Sequence, residues 1–221
     1  MLVLALDSST PVLTAGVAEV TAPGAAVTVL AERTLTDAFA HAEQLMPLVQ
    51  AALAAAGRSL HEVGTVVVGL GPGPFTGLRV GIATGAALAD GLAVSAHGVG
   101  SHDGLAAGLP GTVLVVTDAR RREVYVSVHR GGATVAGPEP VAPAAVPDWL
   151  TAHDVTPEAM TGPGVLLLDG LLPVCAPALP LTAGLIGAAD LAAPPTPLSP
   201  LYLRRPDATE PSSVRKSVLG R

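Results

Sequence analysis

The chain has 221 residues, 49% hydrophobic and 14% charged, which excludes a disordered chain and leaves ample apolar material for a core. Aromatic residues make up 2% and the net charge is −6, which argues against a free-standing nucleic-acid binder that stacks bases and neutralises phosphates. A single cysteine, Cys175, leaves no internal disulfide framework and fits a reducing compartment.

Leu2–Leu6 is apolar throughout and predicts a central strand covered on both faces, ended by Asp7, Ser8, Ser9 and Thr10. Val12–Val20 and Ala25–Arg33 read as two further strands joined by a turn at Pro23-Gly24. His41–Ala56 reads as a helix stopped by Gly57, with Pro47 placed to kink it. Thr65–Leu70 predicts a strand, Gly71–Pro74 a corner, Phe75–Leu92 a long helix and Ala93–Ala96 another strand. The second half opens on a strand, Val113–Thr117, and an alternating one, Glu123–His129, with Val124, Val126 and Val128 on one face. Later the chain is proline-rich, and the expected elements are a strand at Val165–Leu168, a helix at Ala183–Leu191 and a connector over Leu191–Pro200.

The two openings match: strand, Asp7, small residue, strand; then strand, Asp118, small residue, strand. This predicts a duplicated βββαβα unit. The expected organisation is an N-terminal lobe over 1–102, a smaller C-terminal lobe over 103–200 and a basic tail over 201–221. Mean hydropathy is +0.53, yet no stretch supplies the ~18 uninterrupted apolar residues of a membrane span. There is no basic start leading into an apolar core and a cleavage site, and a soluble cytoplasmic protein is expected.

Asp7, Ser8 and Ser9 at a strand end can hold a phosphate or a metal-bound water, or can close a hairpin as a local turn. Gly71–Gly77 resembles a phosphate loop, but Leu78 stands where a Walker loop has lysine, and Pro72 and Pro74 delete two N–H donors. A stiff strand-to-helix corner is the better reading. Beyond it Gly77, Gly81, Gly85 and Ala89 recur every fourth residue and form one stripe. Each interior glycine costs about 0.5–1 kcal/mol relative to alanine, so the stripe implies a close neighbour. Two readings stand: burial within this chain, or a surface for a partner. The first helix carries Leu45, Leu48 and Ala52 on one stripe and Val49 on another, which allows one face for the core and one for docking. The partner surface is therefore expected on Leu45, Leu48, Val49, Ala52, Gly77, Gly81, Gly85 and Ala89. A helical metal pair at His41 needs a second ligand four residues on, where Leu45 stands. No Ser-His-Asp set and no activated cysteine is identifiable, so no catalytic residue is assigned.

Leu4–Thr10, His41 with Leu45-Met46-Pro47, Gly71–Gly81, Asp118-Ala119-Arg120 with Glu123-Val124-Tyr125, and Pro200–Arg204 occur in that order. Together they resemble the TsaB (YeaZ) family of tRNA threonylcarbamoyladenosine biosynthesis, over nearly the whole chain. Pro74 departs from the serine usual in that family. The resemblance implies a two-lobed α/β fold of the actin-like, Hsp70-like, sugar-kinase-like ATPase class (ribonuclease H-like). It implies a non-catalytic scaffold and dimerisation subunit, with no enzyme activity and no cofactor of its own. The implied partners are a catalytic TsaD-type paralogue, a TsaE-type ATPase, and a second copy when alone. The tRNA, modified at adenosine 37 when it reads codons starting with A, would be met only through the complex. ATP or ADP would sit at the complex interface, touching Asp7, Ser8, Ser9 and Asp118. The TsaD-type paralogue holds a metal on an H-x-x-x-H helix, which here reads His41…Leu45. The alternative is a small-molecule kinase or ATPase of the same fold, using Asp7 and Asp118 around a Mg-nucleotide.

Overall fold

The computed structural model describes residues 1–36 and 41–204, so most of the basic tail lies outside the described residues. A first sheet has the order β3-β2-β1-β4-β5, built from β1 (Leu2–Asp7), β2 (Val12–Val20), β3 (Val27–Thr36), β4 (Val63–Gly69) and β5 (Ser95–Val99). The first three strands form an antiparallel meander, and β4 and β5 add in parallel. A second sheet has the order β8-β7-β6-β9, from β6 (Thr112–Asp118), β7 (Val124–Arg130), β8 (Ala133–Val141) and β9 (Ala159–Thr161). It repeats the meander and its one parallel addition, β9 against β6. The expected duplication is thus present, and Asp7 and Asp118 end equivalent strands.

Two helices, α1 (His41–Ala55) and α2 (Phe75–Leu92), cover one face of the first sheet. Leu4, Leu6, Val66 and Val68 point to that face and pack with Leu45, Val49 and Leu53. Burying each such side chain contributes about 1.5–3 kcal/mol. The opposite face, with Val3, Ala5 and Val67, is covered by Leu185 and Ile186 of a late helix, Thr182–Ala188.

Between the sheets runs α3 (Ser101–Ala106), which packs on that late helix and against β6, β7 and β8. The division expected at 102/103 passes through α3. The second sheet's outer face packs Val124, Val126 and Val128 against Val146 and Trp149 of α4 (Val146–Ala152). The late helix, α5, was expected within the second lobe but covers the first sheet.

Val165–Leu168 is a 3₁₀ turn, not the expected strand. Its apolar run buries Val165 and Leu168 and leaves Leu166 89% exposed, a one-sided pattern that a covered strand would not show.

Candidate functional site

The glycine stripe faces inward. Gly77, Gly81, Gly85 and Ala89 are all buried by this chain's own sheet. A Cβ at Gly81 would lie 2.2 Å from Ser8 Oγ, and one at Gly85 would lie 2.3 Å from Val68 Cγ2. Ser8 donates its hydroxyl to the Gly77 carbonyl at 2.8 Å and accepts from the Gly81 amide at 3.1 Å, bridging one helical turn. The close neighbour that the stripe requires is therefore β1 and β4, and the expectation that these four residues form a partner surface is corrected. Leu45, Val49 and Ala52 are likewise fully buried in the first core, and Leu48 is half-buried against it. An inward row and an outward row of small residues have the same period, so spacing alone does not give the direction.

The outward faces of α1 and α2 are different residues. Pro47, Ala51 and Ala54 of α1, and Ala83, Ala86 and Ala87 of α2, are exposed. The two helices pack side by side and form one low-relief surface poor in charge. Of the described side chains exposed on it, only Glu43, Arg79 and Asp90 are charged. A helix pair so poor in polar groups is usually covered on more than one side.

The turn after β1 is a closed hydrogen-bonded unit. Asp7 Oδ1 accepts from the Ser9 amide at 2.8 Å and from Ser9 Oγ at 2.7 Å, and Oδ2 accepts from Ser101 Oγ. The Ser101 hydroxyl also accepts from the Gly71 amide at 3.1 Å. Asp7, Ser8 and Ser9 are buried, and burial pushes the Asp7 carboxyl above its ordinary range, opposed by the hydrogen bonds from Ser101 and Ser9. The local-turn geometry is present, and the Asp7, Ser8 and Ser9 side chains are engaged in hydrogen bonds within the chain. Asp118 is half-buried and accepts from the Arg120 amide at 2.7 Å, at the edge of a different cavity. Asp7 is buried against Ser101 of α3, and Asp118 caps the turn that follows β6.

Gly71–Pro74 makes the expected corner. Gly71 has φ +99, and a Cβ at Gly73 would fall 2.2 Å from the Ser9 carbonyl oxygen, so only glycine allows the two turns to meet.

Three consecutive residues of α3 tie the lobes. Ser101 bonds Asp7, as above. His102 Nδ1 lies 2.7 Å from Ser127 Oγ and its Nε2 lies 2.9 Å from Thr117 Oγ1. Asp103 accepts from Thr134 Oγ1 at 2.8 Å and stands 3.6 Å from His129 Nδ1. Ser127 Oγ in turn lies 2.9 Å from His129 Nε2. Burial, reinforced by the neighbouring His129, pushes His102 down to about 3, and burial also lowers His129 against the charge of Asp103. Ser127, His129 and Asp103 have the sequence of partners of a nucleophilic triad, which sequence inspection did not find because Asp103 lies on α3, away from Ser127 and His129 on β7. Ser127 is fully buried on β7, and the trio joins α3 to the second sheet.

A cavity of about 200 Å³ opens where the Gly73-Pro74 corner meets the turn between β6 and β7. Residues 202–204 cross it. The Tyr202 ring stacks on Phe75 at 4.8 Å, with the Arg79 guanidinium 4.0 Å from the Phe75 ring centre. Arg204 donates to the Ala119 carbonyl at 2.8 Å, pairs with Glu123 and lies 5.8 Å from the Tyr125 ring centre. The turn itself holds Arg120, Arg121 and Arg122 in the left-handed region, with φ of 62, 54 and 61. That conformation costs an L-residue roughly 1–2 kcal/mol.

Among the described residues no three His, Cys, Asp or Glu side chains gather in a way that could hold a metal ion. No described helix is long and apolar enough to cross a membrane.

The family model described as TsaD, tRNA N6-adenosine threonylcarbamoyltransferase, matches residues 28–152. An uncharacterized protein of Mycobacterium leprae is 48% identical over 94% of this chain, which spans 56% of that relative's length. The tRNA threonylcarbamoyladenosine biosynthesis protein TsaB of Escherichia coli is 37% identical over 38% of this chain and 39% of its own. Among solved structures, an uncharacterized Pseudomonas aeruginosa protein with similarity to peptidase YEAZ superposes with a TM-score of 0.71 and 26% identity, covering 92% of this chain and 99% of that one. Fold and comparisons define the class as the two-lobed, actin-like α/β proteins with a duplicated core. Within that class the chain belongs to the TsaB/YeaZ family.

Proposed function

We propose that this chain is a non-catalytic subunit in the formation of N6-threonylcarbamoyladenosine at position 37 of tRNA, which docks and supports a TsaD-type transferase. The pathway rests on the TsaB relatives. The observation that carries the scaffold role is the exposed, alanine-rich face of α1 and α2, around Ala51, Ala54, Ala83 and Ala86. Small side chains let a second helix pair approach closely, and a four-helix seam forms when two such faces meet. The same face would pair two copies of this chain when the transferase is absent, as a self-complementary seam. The metal helix of the transferase has no counterpart here: the place of its second histidine is Leu45, inside the core. A TsaE-type ATPase, and ATP or ADP at the complex interface, complete the proposed assembly, in the cytoplasm. The pair Ala51→Glu and Ala86→Arg tests it. Both positions are exposed, so the fold is retained, and co-purification with the TsaD-type partner is lost. Wild-type binding by the folded double variant would overturn the assignment.

A further inference from the structure

The second lobe carries an apolar groove beside a basic turn. Its cavity, about 660 Å³, has a floor of Ala142, Pro143, Ala144 and Leu167 and a rim of Arg120, Arg121 and Arg122. The Val165–Leu168 turn is anchored by its two end residues, which are buried in the second core. Between them Leu167 is 48% and Leu166 89% exposed, so these two leucines add little to that core. Apolar side chains gathered at a surface and edged by charge mark interaction sites. All three rim arginines are exposed. The two carboxylates of the cavity are engaged: Glu123 pairs with Arg204, and Asp118 is half-buried and accepts from the Arg120 amide. The turn is also preformed. The Ala119 amide donates to the Glu123 carbonyl and the Glu123 amide to the Arg120 carbonyl, both at 3.0 Å, while Arg204 ties Ala119 to Glu123 from outside.

We propose that this groove docks an acidic segment of a partner protein, which seats an aliphatic or aromatic side chain on Leu167 and Pro143 and meets the arginine rim with aspartates or glutamates. Charge complementarity selects the occupant: cationic rim and apolar floor together match a segment that is anionic around an apolar anchor. Guanidinium groups suit carboxylates because their planar donors match the two oxygens in pairs. A nucleic-acid backbone would satisfy the arginines but set hydrated phosphates against Leu167 and Pro143. Leu166 continues the apolar surface outside the cavity, which calls for an occupant that runs past the hole, as a peptide does. Left-handed backbone at three successive arginines is strain of the kind that gathers at functional sites. Holding the turn in that shape beforehand reduces the ordering cost of docking. The groove uses neither α1 nor α2, so it is independent of the scaffold reading.

The test selects peptides from a random display library on the immobilised full chain and measures them by fluorescence anisotropy. The selected peptides carry a Leu, Ile or Phe flanked by Asp or Glu. The double variant Arg120→Gln, Arg122→Gln binds them about 10-fold more weakly, as expected when two ion pairs are lost, and with a shallower salt dependence. Leu167→Asn weakens them by about 10-fold, as loss of an apolar contact does, and keeps the salt dependence of wild type. Arg33→Gln leaves affinity unchanged. Peptides remade with Lys for each Asp and Glu, or with Ser for the apolar anchor, lose binding to wild type, which reads the same chemistry without any variant. Selection of peptides without acidic residues, or equal binding by wild type and both variants, overturns the proposal. So does displacement of the peptide by a uridine oligonucleotide that depends on Arg120 and Arg122 but not on Leu167, which would make the rim a polyanion surface. Concentration-dependent self-association in sedimentation, abolished by Leu167→Asn, would assign the groove to a second copy of this chain and overturn it as well. None of these readouts passes through α1 or α2, so their failure leaves the scaffold reading standing.

Discussion

The hydroxyl of Ser8 occupies the space that a Cβ at Gly81 would need, 2.2 Å away, while donating to the Gly77 carbonyl and accepting from the Gly81 amide. The glycine is thus required by a serine on β1, 73 residues earlier in the chain.

Gly81→Ala forces the buried Ser8 side chain to move from a site where both its hydrogen bonds are made. Overpacking of this kind typically costs 1–3 kcal/mol, and the better helix propensity of alanine returns about 0.5–1 kcal/mol of it. The expected net loss is about 1–2 kcal/mol in denaturant unfolding. The loss shrinks in a Ser8→Gly background. Partner binding is retained, because position 81 does not reach the surface. An unchanged stability would show that the helix can lift from the sheet.

Leu45→His restores the H-x-x-x-H spacing with His41 and yet gives no metal site. Leu45 is fully buried among apolar side chains. A polar ring placed there without a partner costs about 3 kcal/mol. Calorimetry should show a lower melting temperature and no gain in zinc or iron affinity. Stoichiometric metal uptake with a stabilised fold would contradict the placement of this helix.

The His102 clasp predicts an acid sensitivity. Its folded pKa is depressed from 6.5 to about 3, so the unfolded chain takes up a proton that the folded chain refuses. The stability it gives is present above about pH 6.5 and is lost as pH falls toward 3, at about 1.4 kcal/mol per pH unit for one group. His129, also lowered, acts in the same sense. Asp7 is raised and acts oppositely: its share is present below its unfolded pKa and is lost as pH rises. Between pH 7 and 5 the His102→Gln variant should lose less stability than wild type, by about 2 kcal/mol. Parallel curves for the two proteins would remove His102 from this role.

Tyr202→Ala deletes the ring stacked on Phe75 and the hydroxyl that accepts from Arg79 Nε at 3.2 Å. Aromatic pairs contribute about 0.5–1.5 kcal/mol beyond their buried area. A loss of about 1 kcal/mol is expected, with faster proteolysis after residue 197, since the segment would be held only by Leu198 on the first core, the Leu201 amide on the Leu70 carbonyl and the contacts of Arg204. Resistance equal to wild type would show that the stack contributes nothing to its attachment.

The first lobe was readable because β1 and the Val66–Val68 stretch of β4 are apolar runs and its helices are long. Phe75–Leu92 is found with the bounds its pattern predicts. The facing of the glycine stripe was not readable, since Ser8 and Val68, which decide it, lie far from it in sequence. The clasp was hidden for the same reason: His102 meets Ser127 across 25 positions, and each looks solitary in the chain. β8 was missed because Pro138 and Pro140 argue against a strand, yet it is an edge strand, where proline is tolerated. The short β9, only Ala159–Thr161, has no pattern long enough to read.

The path of α5 bears on how the molecule can be divided. The polypeptide leaves the first sheet at residue 100, builds the second, and comes back to roof Val3, Ala5 and Val67 with Leu185 and Ile186. A fragment ending before α3 would leave Val3, Ala5 and Val67 without that cover. The amino-terminal sheet therefore gains its second cover only once residues 182–188 have returned to it.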